Sequence, residues 1–197
     1  MQRPDAETFI HAVIPRAPGR TPGFGAQDDR VDNGDPFDDL AVGVDGEAVG
    51  SVAAAGSVQV IYGSPAGLST SLNALLHQAC GDVEVDAEAD DRFGWALAAG
   101  DIDRDGYDDL GIAVPFEDVG SPAVANPGAV SVIRGSATGM TADGDQLWAQ
   151  DDTPDISSTG ETDERFGLAL AATRTRKLLF VNELEQGSAA AWSATSP

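Results

Sequence analysis

The sequence predicts an all-β fold: an incomplete β-propeller of about two four-stranded antiparallel blades plus the start of a third. Three observations predict it. The chain repeats itself at about seventy residues, its apolar runs are short and lie between glycine-rich turns, and convincing helical spacing over ten residues or more is absent. A four-stranded unit repeated at such a period is a propeller blade.

The repeat is read from several matches in the same order. Phe-Gly occurs at Phe24-Gly25, Phe93-Gly94 and Phe166-Gly167, and Asp-Asp-Leu at Asp38-Asp39-Leu40 and Asp108-Asp109-Leu110. Gly56-Ser57-Val58-Gln59-Val60-Ile61-Tyr62-Gly63-Ser64 returns as Gly128-Ala129-Val130-Ser131-Val132-Ile133-Arg134-Gly135-Ser136. Asp91-Arg92-Phe93-Gly94 returns as Glu164-Arg165-Phe166-Gly167, and Ala-Leu-Ala-Ala follows one residue later in both cases. These offsets divide the chain into an irregular segment 1–23, a first blade 24–92, a second blade 93–165, the start of a third at 166–172 and a divergent tail 173–197.

The second unit defines the strands. Phe93 to Gly100 is an apolar, alanine-rich run whose small side chains suit a crowded inner strand. Asp109 to Pro115 is the next strand, ended by proline. Gly128 to Gly135 alternates two faces between its glycines, and Gln146 to Gln150 is a weaker fourth strand. Thr70 to Ala79 has some helical character, but its repeat mate contains Gly144 and Asp145, so it reads as loop then strand. By the same matching His77 is a strand residue. In the third unit the run Phe166 to Ala172 stands without a hairpin partner, an edge open to self-association.

Composition narrows the function classes. Acids outnumber bases 33 to 11, for a net charge of −22. That argues against a nucleic-acid backbone or an anionic membrane surface as partner. Asp outnumbers Glu 24 to 9, which places the charge in turns and hard-cation sites rather than on helix surfaces. Cys80 is the single cysteine, so there is no intrachain disulfide and no cysteine zinc site. No apolar stretch approaches ~20 residues, so nothing reads as a membrane span. Met1 to Arg20 lacks a basic start followed by an apolar run and does not read as a signal peptide. No nucleophile elbow, phosphate loop or paired histidine motif is visible, and the expectation is that the chain is not an enzyme.

The loop Asp101-Ile102-Asp103-Arg104-Asp105-Gly106-Tyr107-Asp108-Asp109 carries readable chemistry. It places carboxylates at positions 1, 3, 5 and 9, with Gly106 at a sharp turn. Ca²⁺ takes 6–8 oxygens at ~2.3–2.6 Å, and alternating aspartates around a tight loop supply them, with the Tyr107 carbonyl at position 7. An EF-hand shares positions 1, 3, 5 and 6 but needs a bidentate Glu at position 12 and flanking helices. Position 12 is Ile112, inside an apolar strand. The first unit offers a weaker second site of Asn33, Asp35 and Asp39, with Val31 at position 1 and Pro36 at position 6. The third unit reverses the charge, with Arg174 and Arg176 where Asp101 and Asp103 stand.

A Phe-Gly opening followed by an acidic hairpin loop resembles the FG-GAP repeats of the integrin α-chain propeller and its bacterial relatives. The resemblance covers about residues 24 to 172 and is strongest from Asp90 to Asp109. Where the family has Gly-Ala-Pro, this chain has Gly43-Val44-Asp45 and Ala113-Val114-Pro115. The resemblance implies that Asp109 closes the ligand set. It further implies a rigid, Ca²⁺-braced scaffold whose rim loops contact a protein or carbohydrate ligand, in an extracellular or cell-surface setting. Three functions follow as alternatives: an extracellular binding or adhesion module, accessory repeats of a secreted enzyme whose catalytic part lies elsewhere, and a non-functional truncated gene product. The abrupt change after Ala172 reads as a frame shift or truncation, with a functional basic tail as the alternative.

Overall fold

The computed structural model describes residues 9–13, 37–69, 71, 73–80, 86–120, 124–150, 160–173, 177–181 and 191–194. All the regular structure in them is β. The first sheet has the order β1 (Phe9–Val13), β2 (Leu40–Val44), β3 (Ser57–Ile61), β4 (Ala74–Leu76). The second has β5 (Leu97–Gly100), β6 (Asp109–Val114), β7 (Ala129–Arg134), β8 (Thr141–Ala149). The third has β9 (Ala169–Thr173), β10 (Lys177–Val181) and β11 (Ala191–Ala194). Every pairing is antiparallel between neighbours in sequence. These are the sheets of an incomplete propeller.

The sheets stack face to face. Leu110, Ile112, Val114 and Ile133, all on one face of the second sheet, share a fully buried cluster with Val58 and Val60 of the first. On the opposite face Val130 and Val132 cluster with Phe166 and Leu170 of the third unit. Burying both faces explains why β6 is buried at all six positions, as a central strand covered on both sides must be.

The Phe-Gly motif is the joint between sheets. Phe93 N donates to Ala55 O at 2.8 Å, Arg92 N to Ala54 O at 3.2 Å and Asp90 N to Ala53 O at 3.1 Å. One repeat later the pattern returns, with Phe166 N to Pro127 O at 2.6 Å, Arg165 N to Asn126 O at 3.2 Å and Asp163 N to Ala125 O at 3.0 Å. Each motif therefore clasps the preceding blade at the residues leading into its third strand. A Cβ on Gly56 or Gly128 would overlap the backbone of Phe93 or Phe166, and both glycines have positive φ (86° and 82°). Only glycine meets both demands. Phe93 and Phe166 are completely buried.

Several elements lie beyond the boundaries read from sequence. Strand β1 falls inside segment 1–23, and the connection from it to β2 contains Phe24-Gly25, which lie outside the described residues. The run Phe9-Ile10-His11-Ala12-Val13 is of strand length, but prolines surround it and it lacks the Phe-Gly opening. The tail 173–197, read as unlike a blade, supplies β10 and β11, so β9 has its hairpin partner, Lys177 pairing Thr173 and Val181 pairing Ala169. Lys-Leu-Leu-Phe-Val has strand character, but it matches no earlier unit. Strand β5 begins only at Leu97: Phe93 bonds the preceding blade, and a turn in which Trp95 N donates to Arg92 O at 3.1 Å follows it. Strand β8 is the longest at nine residues. His77 lies just past β4 rather than in it.

Candidate metal site in the β5–β6 hairpin

Strands β5 and β6 hold the acidic loop between them, with Gly100 opposite Asp109. Strands on both sides, and a fully buried Ile112 at position 12, set this loop apart from an EF-hand. Hydrophobic packing of β5 and β6 thus fixes both ends of the loop.

Asp109 is the anchor. It is 1 % exposed, and its two oxygens accept three amide donors. Oδ2 accepts Ile102 N at 2.8 Å and Asp103 N at 3.3 Å, and Oδ1 accepts Gly135 N at 3.1 Å from the end of β7. Two short side-chain turns shape the rest: Asp103 Oδ1 accepts Asp105 N at 3.0 Å and Asp105 Oδ1 accepts Tyr107 N at 2.8 Å. Arg104 and Gly106, with φ of 68° and 100°, reverse the chain between these turns, a conformation glycine adopts freely at position 6.

The result brings together Asp101, Asp103 and Asp109, one carboxylate oxygen from each lying within 4.8 Å of the others. Two ligands on one Ca²⁺ lie at most about 5 Å apart, twice the ~2.3–2.6 Å bond length. The three side chains therefore fit a shared ion. Asp101 is also almost fully buried, at 2 % exposure. Burial pushes the Asp109 carboxyl up to about 7, against its amide donors and with the charge of Asp103 adding to the rise. Carboxylates gathered away from water resist ionisation unless a cation compensates them.

Asp105 does not join this group. Its carboxyl sits nearer the surface, shifted upward by partial burial, against the Tyr107 amide and with the charges of Asp103 and Asp101 adding to the rise. Arg134 was not singled out as part of the site by its sequence. Its guanidinium stands 3.5 Å from Asp103, and its repeat mate is Tyr62. The alternation along β7, which places Arg134 at the strand end beside the loop, was the signal available.

The other two units differ. Val31, Asn33 and Asp35 lie outside the described residues. Asp39 is buried, and its Oδ1 accepts Gly63 N at 2.6 Å, the counterpart of the bond from Gly135 to Asp109. The ninth-position aspartate therefore also ties the second strand to the end of the third, a structural duty independent of metal. In the third unit only residues 174–176 separate β9 from β10, too few for a nine-residue loop.

A second acidic cluster lies between blades. Glu117, in the turn after β6, accepts Gln78 Nε2 from the first blade at 2.6 Å, and both residues are buried. Burial pushes Glu117 up to about 8, with the charge of Asp91 adding to the rise, the Gln78 bond opposing it, and Glu88 and Asp118 adding further. Asp91 rises to about 6, again mainly through burial. In the next joint Gln150 Nε2 donates to Glu164 Oε1 at 2.9 Å. Trp95 stacks edge-on against Phe116 at 5.8 Å, and the guanidinium groups of Arg92 and Arg165 flank that ring at 5.9 and 5.1 Å.

The fold is that of an incomplete propeller, with three aspartates of one hairpin loop drawn together in its second sheet. Residues 93–133, in the second blade, match the model of the FG-GAP repeat. A segment of 85 residues is 42 % identical to phosphatidylinositol-glycan-specific phospholipase D of Rattus norvegicus, covering 43 % of this chain and 9 % of that protein. The match thus spans less than a tenth of that relative's length. Among the described residues no helix is long and apolar enough to cross a membrane.

Proposed function

We propose that the chain is a calcium-braced propeller module for extracellular binding or adhesion, without catalysis of its own. The observation that carries this reading is the convergence of Asp101, Asp103 and Asp109 at the fixed end of a hairpin inside the FG-GAP segment. Bound Ca²⁺ would neutralise these carboxylates and tie the loop to β6, with Asp105 and the Tyr107 carbonyl completing the shell after a small movement of the loop. The ligand is a protein or a carbohydrate, met at the loops of one rim. The accessory-repeat reading is supported by the identity to a phospholipase, in which case the module serves a catalytic part carried elsewhere.

Calorimetric titration with CaCl₂ tests the metal. One site with a Kd of ~10⁻⁴–10⁻³ M is expected, as for extracellular modules. No heat and no shift in melting temperature at ~100 times that Kd, where RT ln(1 + [L]/Kd) gives about 2.7 kcal/mol, would sink it. Screening the calcium-loaded chain on immobilised glycans and extracellular proteins, with and without EDTA, tests adhesion. Retention that EDTA removes is the expected result, and no retention at all overturns the binding role.

A further inference from the structure

We infer that Trp95, Phe116 and the guanidinium groups of Arg92 and Arg165 form a binding site for an uncharged saccharide. The inference rests on the reading of the chain as a binding module and names the class of its ligand. The site lies at the end of the second sheet opposite the Asp101–Asp109 loop, because Trp95 precedes β5 and Phe116 follows β6. Arg92 and Arg165 are repeat mates from successive joints, yet both reach one ring. Their guanidinium carbons stand 5.9 and 5.1 Å from the centroid of Phe116. Trp95 meets the same ring edge-on at 5.8 Å. All four residues are half-buried, so part of each meets solvent.

The fold does not require the two aromatic residues. At the next joint Leu168 holds the place of Trp95, and Leu168 N donates to Arg165 O at 3.1 Å just as Trp95 N donates to Arg92 O at 3.1 Å. In the first blade Gly46 holds the place of Phe116. There Glu47 N donates to Val44 O at 3.1 Å, the counterpart of the 3.2 Å bond from Glu117 N to Val114 O. The aromatic pair is thus peculiar to the second blade, where the arginines of two joints converge. Both arginines are held at positive φ, 60° and 56°. That conformation is costly for a residue with a Cβ and persists only where the surroundings impose it, so the backbone from which each guanidinium starts is fixed.

A pyranose has apolar C–H faces and a rim of hydroxyls that both donate and accept. Half-buried aromatic rings offer flat apolar surface to such a face. Each guanidinium carries five donors in a rigid fork, enough to keep a carboxylate and still meet a hydroxyl. Arg92 bonds Asp45 at 3.2 Å and lies 3.8 Å from Asp90, whose side chain is 75 % exposed and open as an acceptor. Apolar area beside a few placed polar groups is what a small-molecule site needs. The two aspartates also offset the guanidinium charge, and the chain as a whole carries −22. An anionic ligand, an acidic sugar or an acidic peptide alike, would enter a field that repels it. An uncharged sugar uses the donors and acceptors without that cost.

Titration in CaCl₂ with the methyl glycosides of glucose, galactose, mannose and N-acetylglucosamine, read by saturation-transfer NMR, tests the site. Saturation by at least one of them is expected at about 1 mM, the strength open to a ligand of about thirteen non-hydrogen atoms. Trp95→Leu, which copies the residue of the next joint, should weaken that binding about tenfold and leave the calcium titration unchanged. Arg165→Gln should weaken it about tenfold through lost donors, and it carries the test alone should Trp95→Leu lose cooperative melting. Trp148→Phe, outside the site, should leave binding as it was. Methyl glucuronide and a glutamate-rich peptide should not saturate. No saturation by any of the four sugars, saturation only by the anionic probes, or binding indifferent to both site variants overturns the proposal. An extracellular protein retained while no sugar binds keeps the module and removes only this ligand. A silent calcium titration beside sugar binding that Trp95→Leu weakens removes only the metal.

Discussion

Replacing Glu117 by Gln should stabilise the protein at neutral and alkaline pH and leave it unchanged in acid. The carboxyl lies in the joint between blades, 3 % exposed, and is raised from 4.5 to about 8. Asp91, Glu88 and Asp118 surround it with further negative charge. Because the folded state holds this proton more tightly than the unfolded chain, its contribution is fully present below pH 4.5 and is lost as pH rises towards 8. Each pH unit within that window costs about 1.4 kcal/mol, so the whole loss is on the order of 5 kcal/mol. Glutamine removes the titration and keeps the geometry. Gln78 Nε2 would still donate at the position of the 2.6 Å bond. The Gln78 Oε1, which has no hydrogen-bond partner among the described residues, would gain a donor in the new amide. Urea melts of both proteins at pH 4.5 and pH 8 read the effect. Equal stabilities at pH 8, or the same pH slope in both proteins, would refute the reasoning. A residual slope confined to below about pH 6 should remain in the variant from Asp91, which rises from 3.8 to about 6.

Asp101→Asn should abolish the calcium-dependent rise in melting temperature, worth about 2.7 kcal/mol at 100 times the Kd, while Asp105→Asn should retain part of it, as thermal melts with and without CaCl₂ will show. Removing the Arg134 charge beside Asp103 with Arg134→Met should tighten Ca²⁺ about tenfold, the worth of one charge some 6 Å from a doubly charged ion at high dielectric, measured by calorimetry. The same change should alter stability without calcium by under about 1 kcal/mol, since the pair is partly exposed. Gly56→Ala should cost about 3 kcal/mol or more, because the methyl would overlap the Phe93 backbone at a positive φ. A urea midpoint near wild type would show that the joint is not the rigid clasp described.

Local chemistry made much of this protein legible. Alternation and glycine punctuation mark β3 and β7, where pleating forces a period of two, and spacing alone marks the loop from Asp101 to Asp109. Repeat matching also pairs Asp39 with Asp109, and both turn out to hold the equivalent strand end. The limits have a common cause. Strands β1 and β10 match no repeat, and backbone pairing with β2 and β9 completes them. Spacing counted Asp105 with the other aspartates, because it records order along the chain and not the direction of a side chain. The amide of Tyr107 decides that direction. Phe-Gly was visible as a repeated word, but its work as a joint depends on a glycine some 37 residues upstream in the preceding blade. Likewise Gln78 and Glu117 are unremarkable until the fold closes 39 residues between them. Short-range physics writes strands and turns into the sequence, whereas burial of charge and the fit of one blade on the next exist only once distant segments meet.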